Sequence, residues 1–432
     1  MLERLFQLQA HGTTVRKEVV AGITTFLTMA YIIVVNPSIL SSTGMDFGAV
    51  FVATCLAAVI GTLIMGLWAN YPIAMAPGMG LNAFFSFTVV GSMGYSWQIA
   101  LGAVFISGFL FFLLSIFKVR EWIINSIPMS LRFGISAGIG FFLALIALKN
   151  AGIVVDHPAT LVGLGEVKVA ESLLFFGGFV LMCALSFRQV TGAVMIGIIA
   201  VTGVAMALGM VEYNGLVSAP PSIAPTFMQL DLAGALNIGM ISVIFAFLFV
   251  DLFDTSGTLI GAAQRGGLLD KDGKLPRLGR ALMSDSVATM SGAALGTSTT
   301  TSYIESTAGI SAGGRTGLTA VVVAVLFLAC LLLSPIASII PAYATAPALL
   351  YVAVLMASGL KLIDWEDVTD AAPAVVTALM MPLTFSIANG IALGFITYAI
   401  LKALSGRWAD LNASVVIIAV VFVLKFIFLD AA

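Results

Sequence analysis

Three carboxylates stand inside otherwise apolar segments, and they are the residues best placed to do chemistry. Asp251 and Asp254 occur in FAFLFVDLFDTSGTLIG, and Glu305 occurs in GTSTTTSYIESTAGIS. A carboxylate at membrane depth is costly, so such acids usually handle a proton, an ion or a substrate. Residues three apart on a helix lie about 60° apart around its axis, which puts both aspartates on one face of the predicted helix 238–262.

The composition indicates that these acids belong to a membrane protein. The chain has 432 residues, of which 60% are hydrophobic and 9% charged, whereas a soluble domain has about 25% charged residues. The net charge of −2 gives no basic surface for nucleic acid. Cys55, Cys183 and Cys330 stand singly in apolar runs, which predicts neither a metal site nor a disulfide framework. We therefore expect an all-α polytopic protein surrounded by the lipid bilayer.

Fifteen segments approach the roughly 20 apolar residues that a membrane span needs. The first begins near Val19 and is as long as a full span, so we expect no cleavable signal peptide. In order, the segments cover 19–39, 48–69, 73–91, 97–117, 122–148, 170–187, 190–210, 238–262, 278–296, 299–312, 316–340, 344–362, 370–387, 389–404 and 411–430.

The third and the tenth segments are poor helices. Segment 73–91 follows Pro72 and begins IAMAPGMGLN, and segment 299–312 is short and rich in Thr and Ser. Irregular backbone is tolerated at membrane depth only where it is buried in protein or lines a cavity. The two breaks are seven spans apart, and a repeat of odd length must be inverted in the membrane. This predicts the two inverted halves of a transporter, with a site near the bilayer midplane.

Lys and Arg predict the orientation. They cluster in the N-terminal stretch, after the fourth span and after the eighth span, which lie on one side if every segment crosses. Cytoplasmic loops are enriched in these residues, so we expect a cytoplasmic N-terminus. The clusters are Arg4, Arg16 and Lys17, then Lys118 and Arg120, then Arg265, Lys271, Lys274, Arg277 and Arg280. The second half then ends near residue 404, and 411–430 is left as an interfacial helix or an extra crossing.

The breaks define the candidate site. Asn82 follows the Gly-rich break of the third span, and Glu305 follows the Thr/Ser stretch of the tenth. Inverted symmetry would bring these points together near the midplane, where broken helices expose backbone N–H groups. Asn82 has a second interpretation, as a cap on the helix that follows the break.

Two further sets of side chains would complete the site. Thr25 and Thr28 in the first span have the spacing of the two aspartates, although such hydroxyls commonly bond to their own backbone. Several phenylalanines, Phe249 among them, surround the aspartates and could stack on a ligand or merely pack. Carboxylates, amides, hydroxyls and aromatic rings together suit a flat, neutral, polar heteroaromatic ring.

Four motifs carry a resemblance to a known family over about residues 1–405. VAGITTFLTMAYIIVVNP, MAPGMGLNAFFSF, LFVDLFDTSGTLIG and TSTTTSYIESTAGISAGGRTGLTA occur in this order. Together they resemble the AzgA-like purine permease branch of the nucleobase–cation symporters, in the nucleobase–ascorbate transporter superfamily. The resemblance implies fourteen spans in two inverted halves of seven. It also implies core domain segments at 1–120 and 236–340, gate domain segments at 121–212 and 341–405, and leaves 411–430 as an extra apolar helix.

The resemblance also implies the site and the activity. The family's essential residues match Asn82, Asp251, Asp254 and Glu305, with the purine held between spans three and ten against span eight. We expect import of adenine, guanine or hypoxanthine with a proton across the inner membrane, without a cofactor or metal. A homodimer is left open.

The coupling mechanism follows as a hypothesis. Burial favours the uncharged form of a carboxyl, so one of the two acids Asp251 and Glu305 would take up a proton from outside before the loaded site crosses. We assign the transported proton to Asp251 and purine binding chiefly to Glu305, with Asp254 as a further proton-coupling residue. The alternatives are an anion or sulfate carrier of the same architecture and an intramembrane enzyme. Three acids without a nearby base argue against the first, and the absence of a nucleophile with its base argues against the second.

Overall fold

The computed structural model describes residues 2–117, 127–213, 215–268 and 275–428. Four of the charges used to predict orientation, Lys118, Arg120, Lys271 and Lys274, lie outside these ranges. Nine helices of the described part are long and apolar enough to cross a membrane. Together with the shorter apolar helices, helix Leu278–Leu295 and the interrupted segment Thr300–Ser311, they form fourteen successive spans and one further C-terminal helix.

The first seven spans and their connections have the following bounds. Span 1 consists of two helices, Val15–Met29 and Ile32–Leu40. Span 2 is helix Phe47–Ile64 with a π-helical end, Met65–Ala69. Span 3 consists of strand β1 (Met75–Pro77), helix Met79–Ala83 and π-helix Phe84–Ser92. Span 4 is Trp97–Ile116, span 5 is Met129–Asn150, then come hairpin strands β2 (Val154–His157) and β3 (Leu161–Leu164), span 6 Ala170–Phe187 and span 7 Ala193–Ala207.

The second seven spans repeat this order. Span 8 is Ile238–Gly266, span 9 is Leu278–Leu295, and span 10 is strand β4 (Thr300–Ser302) with helix Ser306–Ser311. Span 11 is Gly317–Cys330, Leu331–Leu333 and Ser334–Ile339, and span 12 is Ala342–Ala357 with Ser358–Leu362. Span 13 is Val368–Leu383, span 14 is Ile387–Leu404, and the C-terminal helix is Ala413–Phe428.

Strands β1 and β4 pair in antiparallel fashion at the centre of the fold. Met75, Ala76 and Pro77 lie opposite Ser302, Thr301 and Thr300, in that order. Because each strand leads into the helical part of its own span, the two short helices leave the crossing in opposite directions. The two interrupted segments therefore meet, and the prediction that spans 3 and 10 are broken is confirmed. The pairing also satisfies backbone groups that would otherwise be unpaired at membrane depth.

Span 1 is also interrupted, which the sequence analysis did not predict. Its first helix ends at Met29 and its second begins at Ile32. The Thr28 hydroxyl lies 2.7 Å from the carbonyl oxygen of Thr25 in the preceding turn. Such bonds to a helix's own backbone commonly bend helices. The bend places Tyr31 at the break.

The spans pack in two sets. Spans 1, 2, 4, 8, 9, 10 and 11 pack on one another, with span 9 against spans 2 and 4 and span 11 against spans 1 and 2. Spans 5, 6, 7, 12, 13 and 14 form the other set, with span 5 against spans 12 and 13 and span 6 against spans 7 and 12. We call these the first and the second helix group; span 3 contacts both, since its helix Met79–Ala83 also packs on span 5.

A buried acid outside the predicted site holds spans 1 and 11 together. Glu18 is fully buried, and its carboxylate accepts hydrogen bonds from the backbone N–H groups of Arg315, Thr316 and Thr319 at 2.8–3.2 Å. The Thr319 hydroxyl donates to it at 2.7 Å. Two of these N–H groups lie just before span 11 and the third lies in its first turn, where N–H groups lack a partner four residues earlier in the helix. Glu18 therefore acts as a helix cap supplied by another helix.

The C-terminal helix runs back along span 14. It begins at Ala413, nine residues after span 14 ends, and Lys425 donates a 3.0 Å hydrogen bond to Asn389 at the other end of span 14. Phe422 contacts Phe395 of span 14 and Phe249 of span 8. The described part of segment 411–430, which the sequence left undecided, thus forms a helix, Ala413–Phe428, that is antiparallel to span 14 and also touches the first helix group.

Candidate functional site

A cavity of about 80 Å³ lies where spans 3, 8 and 10 face spans 5 and 12. We call it the central cavity. Its wall is formed by the crossing strands and by side chains from both helix groups. The lining residues are Gly78, Met79, Gly80, Leu81, Ile139, Val250, Asp254, Thr258, Thr301, Ser302, Tyr303, Ile304, Glu305, Val352 and Met356. Gly80 needs to be glycine, because a Cβ there would overlap Ile139 of the second group.

Glu305 reaches the central cavity from the turn between β4 and helix Ser306–Ser311. The Tyr31 hydroxyl donates to its Oε1 at 2.5 Å, from the break in span 1. The Thr28 hydroxyl lies 3.4 Å from the Glu305 carbonyl oxygen. Span 1 thus contacts both the side chain and the backbone of Glu305.

Asp254 lines the same cavity from span 8. The Thr301 hydroxyl on β4 donates to its Oδ2 at 3.3 Å. A charged acceptor strengthens such a bond. Strand β4 therefore supports Asp254 directly, and both Asp254 and Glu305 are half-buried.

Asp251 lies one turn earlier on span 8 and is not among the residues that line the central cavity. Its side chain is almost fully buried, and its oxygens lie 3.4 Å from the Thr255 hydroxyl and 3.5 Å from the Thr289 hydroxyl of span 9. Thr255 also donates to Asp285 at 2.6 Å. The angle between two residues three apart on a helix is enough to aim one aspartate at the cavity and the other at span 9.

Asn82 and Thr25 are fully buried polar residues without a hydrogen-bond partner in the described part of the chain. Neither atom of the Asn82 side-chain amide is paired, and the Thr25 hydroxyl is also unpaired. Thr25 packs against Gly309 of span 10 so closely that a Cβ at Gly309 would overlap its oxygen. A buried polar group without a partner carries a free-energy cost, and such groups are often functional or bound to an unseen molecule.

Phe249 is not among the residues that line the central cavity. Its ring lies 6.3 Å from Phe245 and 6.4 Å from Phe422 of the C-terminal helix. The ring therefore packs where span 8 meets the C-terminal helix, as the alternative interpretation of the phenylalanines anticipated.

Two tyrosines at the site were not singled out from the sequence. Tyr31 bonds to Glu305, and Tyr303 lines the cavity while its hydroxyl donates to the Pro77 carbonyl oxygen at 2.6 Å. A tyrosine within an apolar span needs a partner for its hydroxyl. This need could have marked Tyr31 and Tyr303 as candidate site residues in the sequence. Both stand in the motifs quoted above.

The chemistry of the central cavity follows from its lining. Two of the described lining residues are acidic and none is basic. The others supply hydroxyls, aliphatic walls and the backbone of two strand-to-helix turns. Such a site can accept hydrogen bonds from ring N–H and amino groups, and it disfavours an anion.

Comparison with known proteins adds the family. The model of the Permease family (Xan_ur_permease) matches residues 16–393. The chain is 52% identical to Adenine permease AdeP of Escherichia coli (strain K12), over 100% of this chain and 97% of that protein. It is 43% identical to Guanine/hypoxanthine permease PbuO of Bacillus subtilis (strain 168), over 98% and 99%. It is 36% identical to Nucleobase transporter PlAzg2 of Paenibacillus larvae, over 89% and 77%.

Solved structures show the same fold at low sequence identity. The transmembrane domain of a cyanobacterium bicarbonate transporter BicA has a TM-score of 0.66 at 14% identity, covering 86% of this chain and 96% of that one. Murine Slc26a9, an anion transporter in the inward-facing state, has a TM-score of 0.65 at 11% identity, covering 90% and 68%. The predicted fold of fourteen spans in two inverted halves of seven is confirmed. The chain is a multi-pass membrane protein of the Permease family, in the AzgA-like branch of the nucleobase–ascorbate transporter superfamily.

Proposed function

We propose that this protein imports purine nucleobases, namely adenine, guanine or hypoxanthine, together with protons. The observation that carries the proposal is the placement of Asp254 and Glu305 beside the crossing strands, in a cavity that has no basic lining residue in the described chain. The names of similar proteins, which are adenine and guanine/hypoxanthine permeases, support the same substrate class.

The purine would lie between the strand-to-helix turns of spans 3 and 10. Its N–H and amino groups would donate to Glu305 and Asp254, whose positions Tyr31 and Thr301 support. Asn82 offers a donor and an acceptor without other partners in the described chain, which suits the mixed edge of a purine. Thr25 remains a predicted contact, since its hydroxyl is likewise unpaired there. The packing of Phe249 against Phe422 gives no support to its predicted contact with the purine.

Asp251 is the proposed carrier of the transported proton, and Thr289 would link it to the substrate. The Thr289 hydroxyl has one proton and two acceptors, Asp251 Oδ2 at 3.5 Å and the Thr300 carbonyl oxygen of β4 at 3.2 Å. Protonation of Asp251 at Oδ2 would turn that oxygen into a donor to the Thr289 hydroxyl oxygen, so the Thr289 proton would go to the Thr300 carbonyl oxygen of β4. Because β4 lines the purine site, proton and purine could then favour the same state and strengthen each other's binding.

Transport would proceed by movement of one helix group past the other. The first group, with span 3, would be the core domain (1–120 and 236–340), and the second the gate domain (121–212 and 341–405). The packing within each group and the cavity between them support this division. The central cavity of about 80 Å³ is small beside ligand pockets of about 300–1,000 Å³, which agrees with a need for the groups to separate.

The location belongs to the same proposal. We place the protein in the inner membrane with a cytoplasmic N-terminus, on the positive charges of the predicted loops. The N-terminal helix Leu2–Phe6 lies on the same side as the end of span 2, since the Asn70 side chain after span 2 donates to the carbonyl oxygen of Phe6 at 3.3 Å. Asn70 also accepts from Gly317 at the start of span 11 at 2.7 Å.

Uptake of each labelled purine by cells that lack their own purine permeases tests the proposal. We expect saturable uptake that competes with other purines and collapses when a protonophore is added. Uptake that resists the protonophore would contradict proton coupling while leaving the substrate assignment intact. No uptake of any purine, with the protein present in the membrane, would contradict the function.

Two other functions have tests of their own. An anion carrier is suggested by the fold shared with a bicarbonate transporter and an anion transporter, but the acidic lining argues against it. Inhibition of purine uptake by sulfate and not by hypoxanthine would favour that carrier. Chemical conversion of a purine by the purified protein would favour an enzyme instead.

A further inference from the structure

A second cavity, of about 190 Å³, lies at the other end of span 3. Its wall includes Phe84 and Thr88 of span 3, Ser242 of span 8 and Phe385 between spans 13 and 14. Lys425 of the C-terminal helix also lines it. On the proposed orientation this cavity lies on the outer side, because odd-numbered spans run outward and it sits at the end of spans 3 and 13.

Two pairs of phenylalanine rings each have one member that lines the second cavity, Phe84 in one pair and Phe385 in the other. On span 3, Leu81 lines the central cavity and Phe84, one turn later, lines the second. Phe84 meets Phe247 of span 8 edge-on at 5.1 Å. Phe247 is fully buried between Val243 of the second cavity and Val250 of the central cavity.

The other pair comes from the second helix group. Phe142 of span 5 is fully buried one turn after Ile139, which lines the central cavity. Its ring meets Phe385 edge-on at 5.4 Å. The Lys149 ammonium lies 5.6 Å from the centre of the Phe385 ring, so two contacts hold that ring.

The backbone of Phe385 is unusual in a way that points to its side chain. Span 13 ends in a Schellman motif, in which Ser386 N–H bonds to Met381 and Phe385 N–H bonds to Pro382. Phe385 occupies the left-handed position of that motif with φ of 51°, where glycine is the favoured residue. A bulky residue in a left-handed conformation is an outlier that often marks a functional site.

One hydrogen bond joins the two helix groups at this level. The Thr88 hydroxyl of span 3 donates to the Phe385 carbonyl oxygen at 2.8 Å. Movement of one group past the other would therefore break this bond and draw Phe84 away from Phe385. The barrier consists of one ring pair on each moving part, so it would open only when the groups separate.

We propose that the second cavity is an entrance subsite for a planar heteroaromatic base, and that Phe84 and Phe385 close the passage from it to the central cavity. The subsite rests on the proposed function, since its ligand is the proposed substrate. Two aromatic rings offer stacking surfaces, and hydroxyls of Thr88 and Ser242 with the ammonium of Lys425 offer partners for a polar ring edge.

The barrier is tested without any purine. In a chain with Cys55, Cys183 and Cys330 changed to alanine, Val352→Cys places one thiol at the central cavity. A membrane-impermeant maleimide is added to intact cells. We expect Phe385→Ala to speed labelling about fivefold, as loss of one aromatic pair allows. Phe385→Gly should act alike and folds without the strained backbone.

Phe187→Ala is the matched control, because its ring is 90% exposed at the end of span 6. It should leave labelling unchanged. Equal labelling of the Phe385 variants and the parent would overturn the barrier. Labelling does not depend on transport. Absence of purine uptake would therefore count against the proposed function, and unchanged labelling would count against the barrier.

The subsite is tested with a thiol in the second cavity. Ser242→Cys is labelled in a chain that also carries Glu305→Gln, which removes an acid of the central site. We expect adenine, guanine or hypoxanthine still to slow labelling of this thiol. One result would overturn the entrance subsite: purines protect this thiol in the chain that keeps Glu305 and give no protection in the Glu305→Gln chain. Lack of protection in both chains would overturn it as well.

Discussion

The Tyr31 hydroxyl donates a 2.5 Å hydrogen bond to Glu305, and this bond joins the break in span 1 to the break in span 10. The two residues are 274 positions apart in the chain. Glu305 in the second inverted half is therefore held by an uncharged residue of the first half.

Tyr31→Phe should weaken purine uptake while leaving the fold intact. The variant removes the donor and leaves Glu305 with one fewer partner, and hydrogen bonds to charged groups contribute about 1.5–3 kcal/mol. We expect the uptake efficiency, kcat/KM, to fall about tenfold or more. Initial rates of labelled purine uptake over a concentration series measure it.

Tyr351→Phe is a matched control. Its hydroxyl bonds to Ser186 at 2.5 Å within the second helix group, and it does not line the central cavity. Uptake by this variant should equal that of the parent. Equal uptake by Tyr31→Phe and the parent would show that Glu305 does not need this donor.

Asp251→Asn and Asp254→Asn should fail in different ways. Asp254 lines the central cavity, so its loss should raise KM for the purine. Asp251 contacts Thr289 and the proposed coupling path, so its loss should abolish proton-driven accumulation and leave exchange of purine across the membrane. Accumulation and exchange are measured in the same vesicles with an imposed pH gradient. Asp364→Asn, in an exposed loop, is the control.

The opposite pattern would reverse these two roles. Accumulation that survives in Asp251→Asn and is lost in Asp254→Asn would assign the transported proton to Asp254. Wild-type behaviour of both variants would remove the two aspartates from the mechanism.

Glu18→Gln should destabilise the protein without touching the site. A glutamine has one acceptor oxygen where the carboxylate has two, so at least one buried N–H at the start of span 11 loses its partner. An unsatisfied buried donor costs about 1–3 kcal/mol. Thermal unfolding in detergent should show a lower midpoint. Glu171 is exposed in the first turn of span 6, so Glu171→Gln should leave the unfolding midpoint unchanged.

The contact between the start of span 13 and the segment after span 14 should contribute stability that depends on pH. The Thr369 side chain and the Arg407 guanidinium donate hydrogen bonds to Asp367. These bonds hold the pKa of the Asp367 carboxyl well below its usual range. A depressed pKa stabilises the folded state above the unfolded value of about 3.9, and this stability is lost as the pH falls through the folded value.

Arg407→Gln therefore should lower the unfolding midpoint at neutral pH, and the difference from the parent should shrink below about pH 4. Thermal unfolding at a series of pH values measures both. Arg188→Gln, an exposed arginine after span 6, should show no such convergence. A difference that is constant over pH would mean that Arg407 acts through packing rather than through the charge of Asp367.

Local sequence determined much of the architecture. Runs of apolar residues near 20 in length define most spans, and Pro, Gly, Thr and Ser mark the breaks in spans 3 and 10, because these residue types fail to form regular helix there. The seven-span interval between the breaks is a property of the chain order, so the inverted repeat could be predicted too. The cost of a charge at membrane depth was enough to single out Asp254 and Glu305.

Only the tertiary structure decided where each polar side chain points. Asp251 and Asp254 share a helix face in projection, but packing against span 9 takes one of them away from the cavity. Tyr31 reaches Glu305 and Glu18 caps span 11 through contacts between segments almost 300 residues apart. Such partners are set by how helices pack, and helical periodicity along one segment carries no information about the neighbour it will meet.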